Sequence, residues 1–436
     1  MNKEKMLKIL QKILRFMAKA IINKYQPVIV GITGSVGKTS AKEAIFLVLS
    51  SKFKVWKNEK NCNNEIGIPL TIIGSETGGR SIFKWCGVFL KWLSFIVLPR
   101  QYPEILVLEM GVDHPGDMEY LVGFIPLTVG IITNISGSHL EYFKNVDHIA
   151  REKGKIMNKL PEHGLAILNA DDERIVALKD KIKAPIISFG FSDEAHIKAV
   201  YQTFGSEGME PKGINFKISY EGKTIPVRLP HIIAEHLIYT ALIAITTGIY
   251  FKINLVEIAG ILENFSSPPG RMNLIPGIKN SKIIDDTYNA SPKSTLVALD
   301  VLDKLSKKRK IVVLGDMLEL GEETEKGHKE VAEKIFRIKT DLFFAVGKRM
   351  EITVKRLMEL KYPADKIFYF DDLNLLGRKL QEEIREGDVI LVKGSQGMRM
   401  EKIVEEIMAE PLKAKDVLCR QNKEWLKITL NKDNFV

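Results

Sequence analysis

Apolar residues along this chain keep two rhythms. Continuous apolar runs from Pro27 to Val30, Glu104 to Glu109, Thr128 to Thr133 and Gly164 to Asn169 read as strands buried on both faces. Stretches with helical spacing lie among them, including Ala41 to Leu49, Ile149 to Met157 and the mostly apolar His231 to Tyr250. From about residue 185 to 229 the runs shorten and alternate, as in Ile214-Asn215-Phe216-Lys217-Ile218, which predicts a small antiparallel flap. Phe265-Ser266-Ser267-Pro268-Pro269-Gly270 interrupts the pattern as a linker. Beyond it, runs at Lys282 to Asp285, Lys310 to Leu314, Leu342 to Val346, Lys366 to Phe370 and Val389 to Val392 alternate with helical stretches, predicting a second sheet.

The expected fold is therefore α/β, with a first domain over 27–269 and a second over 270–410. Two such domains on a short linker would leave a ligand-gripping cleft between them. Ahead of them, residues 1–26 put Met6, Leu10, Ile13, Met17 and Ile21 on one helical face with a basic face behind. Residues 78–103 are an apolar insertion in the first domain. Its centre, Ser81 to Leu98, predicts a greasy helix with one polar stripe of Ser81, Lys84, Gly87, Lys91 and Ser94. It is too short, and carries two lysines too many, for a membrane span. Residues 411–436 are basic and amphipathic, and the sequence assigns them no role.

Composition adds compartment and charge. The 436 residues are 45% hydrophobic and 27% charged, as in globular proteins with substantial cores. Three scattered cysteines, Cys62, Cys86 and Cys419, fit a reduced cytoplasm. The net charge of +10 is uneven: residues 1–26 hold seven cations and one anion, a net of +6. Cations interleaved with apolar residues argue against a signal peptide. Two readings remain for this segment and the greasy helix: contact with an anionic membrane at its inner face, or packing together over the catalytic core. With Phe16 and Tyr25 the only aromatics in the basic segment and no recognition motif, nucleic acid is not an expected partner.

Candidate chemistry collects at strand ends. Gly31 to Ser40, GITGSVGKTS, joins a strand to a helix. Gly34 and Gly37, with Ser35 and Val36 between them, permit a backbone that aims amides at a polyphosphate, and the helix start at Lys38, Thr39 and Ser40 adds its positive end. Lys38 would lie against the outer phosphates and the Thr39 hydroxyl would ligate Mg²⁺. Gly31 and Gly37 have five residues between them, whereas the common phosphate loop has four. Glu109 closes its strand aimed at this loop, a natural Mg²⁺ ligand. The next run ends in Asn134, a candidate substrate contact, and its loop delivers His139 to the same edge. Asn63 and Asn64 belong to an amide-rich loop that reads either as a substrate wall or as an ordinary turn. Composition alone leaves Lys153 a solvated surface lysine.

Eight words stand in order along the chain: TGSVGKTS at 33–40, NNEIGIPLT at 63–71, LEMG at 108–111, ITNISGSHLEYF at 132–143, LNADD at 168–172, DDTYNASP at 285–292, LGDMLELGEE at 314–323 and VKGSQGMRME at 392–401. With them the chain resembles the Mur ligase family, nearest its MurF-like branch. The resemblance implies a central ATP-binding domain with a parallel sheet around the phosphate loop, and a Rossmann-like C-terminal domain. It implies an ATP-dependent amide ligase of cell-wall precursor synthesis. The γ-phosphate passes to a precursor carboxylate, and the amine of an amino acid or a dipeptide such as D-Ala-D-Ala attacks the acyl phosphate.

By position, the resemblance implies ATP and two Mg²⁺ ions. Lys38 and Thr39 meet the phosphates and first ion, Glu109 bridges to metal, His139 serves the second ion, and Lys153 is carbamylated into a metal-binding carboxylate. Arg271 falls at the ATP phosphates, Asp286 near the ribose and Thr240 at the adenine. Tyr288, Asn289, Lys393 and Ser395 fall where the family receives substrate. The chain departs from the family in three places. About 26 residues precede the loop, where the family carries a uridine-diphosphate-binding domain. Leu237 and Thr240 stand where the adenine pattern has asparagines, and the greasy helix is inserted. A lipid-linked, pseudomurein-type or polyglutamyl acceptor, or a non-catalytic nucleotide-binding subunit, are the alternatives these departures leave.

Overall fold

The strand that feeds the glycine-rich turn, β1 (Val28–Thr33), lies inside a nine-stranded sheet. The computed structural model describes residues 3–59, 62–79, 81–137, 143–207, 210–306 and 308–426. The other strands of this sheet are β2 (Val55–Lys57), β3 (Ile105–Glu109), β4 (Val129–Ile132), β5 (Leu165–Asn169), β6 (Ile186–Gly190), β7 (Ile197–Glu207), β8 (Glu210–Tyr220) and β9 (Lys223–Leu229), in the order β2-β3-β1-β4-β5-β6-β7-β8-β9. Pairing is parallel from β2 to β7. Every residue of β3, β4 and β5 is buried, which is why these strands read as unbroken apolar runs. The parallel register puts Ile32 opposite Glu109 and Thr33 opposite Ile132, so the carboxyl ends of three strands meet at one edge.

The expected flap is corrected at its start. Ile186–Gly190 is a parallel strand of the main sheet, paired with β5, and its burial does not alternate: Ile186 and Ile187 are half-buried and Ser188 to Gly190 buried. The hairpin proper is β8–β9, turned by Glu221 and Gly222 at φ 48° and 73°, the twist that matches flanking strands. The helix expected from His231 begins at Ile238, after a 3₁₀ turn over Glu235–Leu237.

The helices of this half are α1 (Lys3–Tyr25), α2 (Lys38–Leu49), α3 (Gly67–Ile73), α4 (Ile82–Val97), α5 (Asp117–Val122), α6 (Val146–Asn158), α7 (Glu173–Val176), α8 (Ile238–Tyr250) and α9 (Leu255–Leu262). Helix α1 docks: Leu14, Met17, Ala18, Ile21 and Ile22 join the core, each larger side chain contributing about 1.5–3 kcal/mol. Trp92 Nε1 donates to the Met17 carbonyl at 3.0 Å, and Lys24 Nζ donates to the carbonyls of Phe95 and Ile96 at 2.9 Å, capping the end of α4. Tyr25 stacks on Tyr102 with centroids 4.8 Å apart. The apolar face expected on α1 divides, since Met6 and Ile13 are exposed while Met17 and Ile21 are buried.

The chain forms two units, Met1–Thr203 with Asn215–Leu229 and His236–Phe265, and Phe204–Ile214 with Pro230–Glu235 and Ser266–Val436. The second holds a six-stranded sheet of β10 (Asn273–Pro276), β11 (Lys282–Asp286), β12 (Lys310–Gly315), β13 (Leu342–Val346), β14 (Ile367–Phe370) and β15 (Val389–Lys393), ordered β10-β11-β15-β12-β13-β14. Only β10 is antiparallel to its neighbour. Helices α10 (Pro292–Leu305), α11 (Thr324–Arg337), α12 (Met350–Glu359), α13 (Leu373–Glu383) and α14 (Glu401–Ile407) complete it. Of the segment without an assigned role, Ala414 and Leu418 join this core.

Candidate phosphate and metal site

Backbone geometry at the turn after β1 demands glycine twice. Gly34 has φ 144°, and a Cβ there would lie 2.0 Å from Thr133 Oγ1; Gly37 has φ 84° and precedes α2. Having no side chain, Gly37 leaves the first turn of α2 uncapped, the arrangement that receives an anion. The end of β4 pins the loop. Asn134 accepts from Ser35 N at 2.9 Å through its carbonyl and from Val36 N at 2.8 Å through Oδ1, while Thr133 Oγ1 donates to Val36 O at 2.6 Å. Asn134, expected at the substrate, here braces the phosphate loop. Lys38 Nζ folds onto the loop, donating to Gly34 O at 2.7 Å. Thr39 and Ser40 follow in the first turn, with Ser40 buried.

Glu109, at the end of β3, is buried. Its Oε1 accepts from Asn63 Nδ2 at 3.2 Å, and its Oε2 has no hydrogen-bond partner among the described residues. Lys42 Nζ lies 3.9 Å from Oε2. Asn58 holds the Glu109 backbone from both sides, accepting from Glu109 N at 2.8 Å and donating to its carbonyl at 3.0 Å. Asn64 turns aside, its Oδ1 accepting from Gly67 N at 2.9 Å at the start of α3. A desolvated carboxylate oxygen left without a donor is costly unless a cation or its water completes it. The fit to Mg²⁺ is of that kind. No group of three His, Cys, Asp or Glu able to hold a metal forms among the described residues, and Mg²⁺ commonly uses one or two protein oxygens with phosphate and water for the rest.

Lys153 lies on the inner side of α6 and is buried, not solvated. Burial first, then the neighbouring Lys38 charge, pushes its pKa down to about 7, against the opposing pull of Asp113, Glu152 and Asp117. Glu152 accepts from Gly116 N and Met118 N at 3.0 and 3.2 Å, tying α6 to the start of α5. A polar cavity of about 210 Å³ opens here, lined by Asn64, Glu65, Gly111, Asp113, His114, Asp117 and Leu121. A larger cavity of about 320 Å³, around Tyr220, Lys223 and Val256, is built from the β8–β9 turn and the α8–α9 junction rather than from strand ends. His139 lies outside the described residues, and Thr240 is buried in α8.

In the second unit the expected residues gather at the ends of β11 and β15. Lys393 Nζ meets Asp286 Oδ2 at 2.5 Å and the Asn289 carbonyl at 2.8 Å. Ser395 Oγ accepts from Leu318 N at 2.8 Å, and the Arg271 guanidinium lies 3.8 Å from the Tyr288 ring centroid. Arg420 donates to the carbonyls of Thr287 and Tyr288, fastening the same loop. Three of these positioning residues escaped the sequence reading. Lys42 sits one helical turn after Lys38, a spacing that could have revealed it. Asn58 and Arg420 carry no such signal, because their partners are distant in sequence.

Comparison with known proteins gives one answer. The chain matches the Mur ligase middle domain over residues 92–248 and the Mur ligase glutamate ligase domain over 270–396. It is 30% identical over 400 residues to the UDP-N-acetylmuramoyl-tripeptide–D-alanyl-D-alanine ligase of Bacillus subtilis, covering 92% of this chain and 80% of that one. Among solved structures it resembles MurF from Acinetobacter baumannii at TM-score 0.74 and 25% identity, covering 90% of this chain and 79% of that one. MurF ligase from Thermotoga maritima in complex with ADP gives TM-score 0.73 at 24% identity, covering 91% and 83%.

Proposed function

This chain belongs to the Mur ligase family of ATP-dependent acid–amino-acid ligases, and from that premise we propose that it joins a short peptide or amino acid to the carboxylate of a cell-wall precursor, as a MurF-like enzyme. The single observation that carries the site assignment is Glu109 Oε2, buried and without a hydrogen-bond donor, at the sheet edge where the uncapped start of α2 also lies. In this reading the α2 amides and Lys38 hold the ATP phosphates, with the Lys38 amine turning from Gly34 O to the terminal phosphate. Thr39, Glu109 and a carbamylated Lys153, with His139 for a second ion, hold magnesium. Held by these residues, magnesium would supply positive charge to offset the repulsion between triphosphate and carboxylate. A carboxylate oxygen then attacks the terminal phosphorus and ADP leaves. The amine nitrogen attacks the acyl carbon, phosphate leaves, and the amine's proton is lost.

Lys153 supports the reading in a second way. Carbamylation needs the neutral amine, and a pKa near 7 supplies it at ordinary pH. Arg271 and Asp286 serve the nucleotide, and Tyr288, Asn289, Lys393 and Ser395 the substrate. Thr240 stands toward the adenine, and Asn63 steadies the Glu109 carboxylate. The test is phosphate release with ATP and Mg²⁺ over a grid of precursor carboxylates, uridine-linked and lipid-linked, against D-Ala-D-Ala and single amino acids. Release is expected only when acceptor and amine are both present. Release that ignores the amine, or no release with any pair, would remove the ligase assignment.

A further inference from the structure

The outward face of α4 takes no part in the chemistry above. Ile82, Phe83, Phe89, Leu90, Leu93 and Val97 are all exposed, Phe83 to 90%. The expected polar stripe points the other way or to the edge: Lys91 Nζ donates to the Gly74 carbonyl at the end of α3, and Ser94 Oγ to Lys91 O. A helix lying on its own domain normally buries its apolar side. Helix α4 buries Val88 and Phe95 and turns the larger apolar side outward. Helix α1 repeats the arrangement. Toward its N-terminus and beside the docked residues, Met6, Ile9, Ile13 and Phe16 recur at helical spacing and are exposed, with Lys5, Lys8, Lys12 and Lys19 along their flank. Phe16 lies 6.3 Å from Trp92, and Phe89 5.4 Å from it, so the two exposed stripes join across the Trp92 ring.

We propose that α1 and α4 together form a platform that seats this protein on an anionic lipid bilayer, both helices lying in the headgroup layer. Charge favours lipid over a protein partner. The segment before residue 27 carries a net +6, and lysine is depleted at protein interfaces but suits the rim of a membrane-lying helix, where its stem lies on apolar surface and its amine reaches phosphate. No described helix is long and apolar enough to cross a membrane, so the platform lies on the surface. One amphipathic segment gives weak, reversible attachment; two side by side, held by the Trp92 and Lys24 bonds, act as a pair. The inference stands on this face alone and does not need the ligase reading.

Flotation of the full chain with phosphatidylcholine vesicles, with and without phosphatidylglycerol and at low and high salt, tests it. Binding is expected to require phosphatidylglycerol and to weaken with salt. F83E/L90E/L93E should abolish flotation while circular dichroism, Tm and ADP binding stay unchanged. K5Q/K8Q/K12Q should weaken partitioning by about a hundredfold, near fivefold per lysine. Folded wild-type protein that ignores both vesicle types would overturn the proposal, as would a triple glutamate variant that still floats. A lipid-indifferent dimer dispersed by the same variant would overturn it too, assigning the face to a second copy of the chain.

Discussion

Two single residues of the candidate site, Lys153 and Gly34, each answer to a direct measurement. Lys153 has a folded pKa of about 7, below the unfolded value of about 10.5. Between those pH values the unfolded chain binds one more proton, so stability rises with pH through that window and is lower, by the full amount, below it. In buffer free of carbon dioxide, urea denaturation of Lys153→Met should lose this rise relative to wild type; parallel curves would place the amine in solvent. At Gly34 any side chain meets Thr133 Oγ1, so Gly34→Ala should cost about 1–3 kcal/mol and remove ADP binding while leaving the sheet folded. Calorimetry checks both. The glycines were legible in the sequence because their constraint is local. Lys153 was legible only through the family resemblance, because its burial comes from packing against α5 and its composition makes it an ordinary surface lysine. Asn58 hid because its partner Glu109 lies more than fifty residues away.

At the scale of elements, the runs that form β1, β3, β4 and β5 were readable because strands covered on both faces have no polar alternation to confuse them. Short edge strands such as β2 and β10 were missed, having too few residues to make a pattern. Helices α1 and α4 were legible as amphipathic but not in their rotation. Spacing alone does not tell which apolar residues of one helix meet the core, and packing against α3 and α4 assigns Leu14, Met17 and Ile21 to it. Lys24 is the fastener of this pair. Lys24→Ala should lower stability by about 1 kcal/mol in urea and increase amide exchange at the end of α4, leaving the sheet amides unchanged. Equal exchange in both proteins would remove Lys24 from that role.

Across the whole molecule, the sequence reading expected two α/β domains parted at 269/270; the compact units change over at Phe265–Ser266, and Phe204–Ile214 and Pro230–Glu235 group with the second. It did not show that the final residues complete the second unit. Glu401, fully buried, accepts from Arg399 Nε at 2.5 Å and from Arg420 Nη1 at 2.8 Å, so this triad joins α14 to the loop after β11. Glu401→Gln leaves a buried guanidinium short of its counter-charge and should destabilise by about 3–5 kcal/mol; a change below 1 kcal/mol in urea would show the triad to be idle. The central claim concerns chemistry, that a carboxylate is activated by phosphoryl transfer at the loop beside Glu109. It is tested most directly by supplying an acceptor labelled with oxygen-18 in its carboxylate and analysing the phosphate released by mass spectrometry. One label atom per phosphate is the expected result; amide formed while the phosphate carries no label, the departing oxygen being recovered in water or another product instead, would contradict the account.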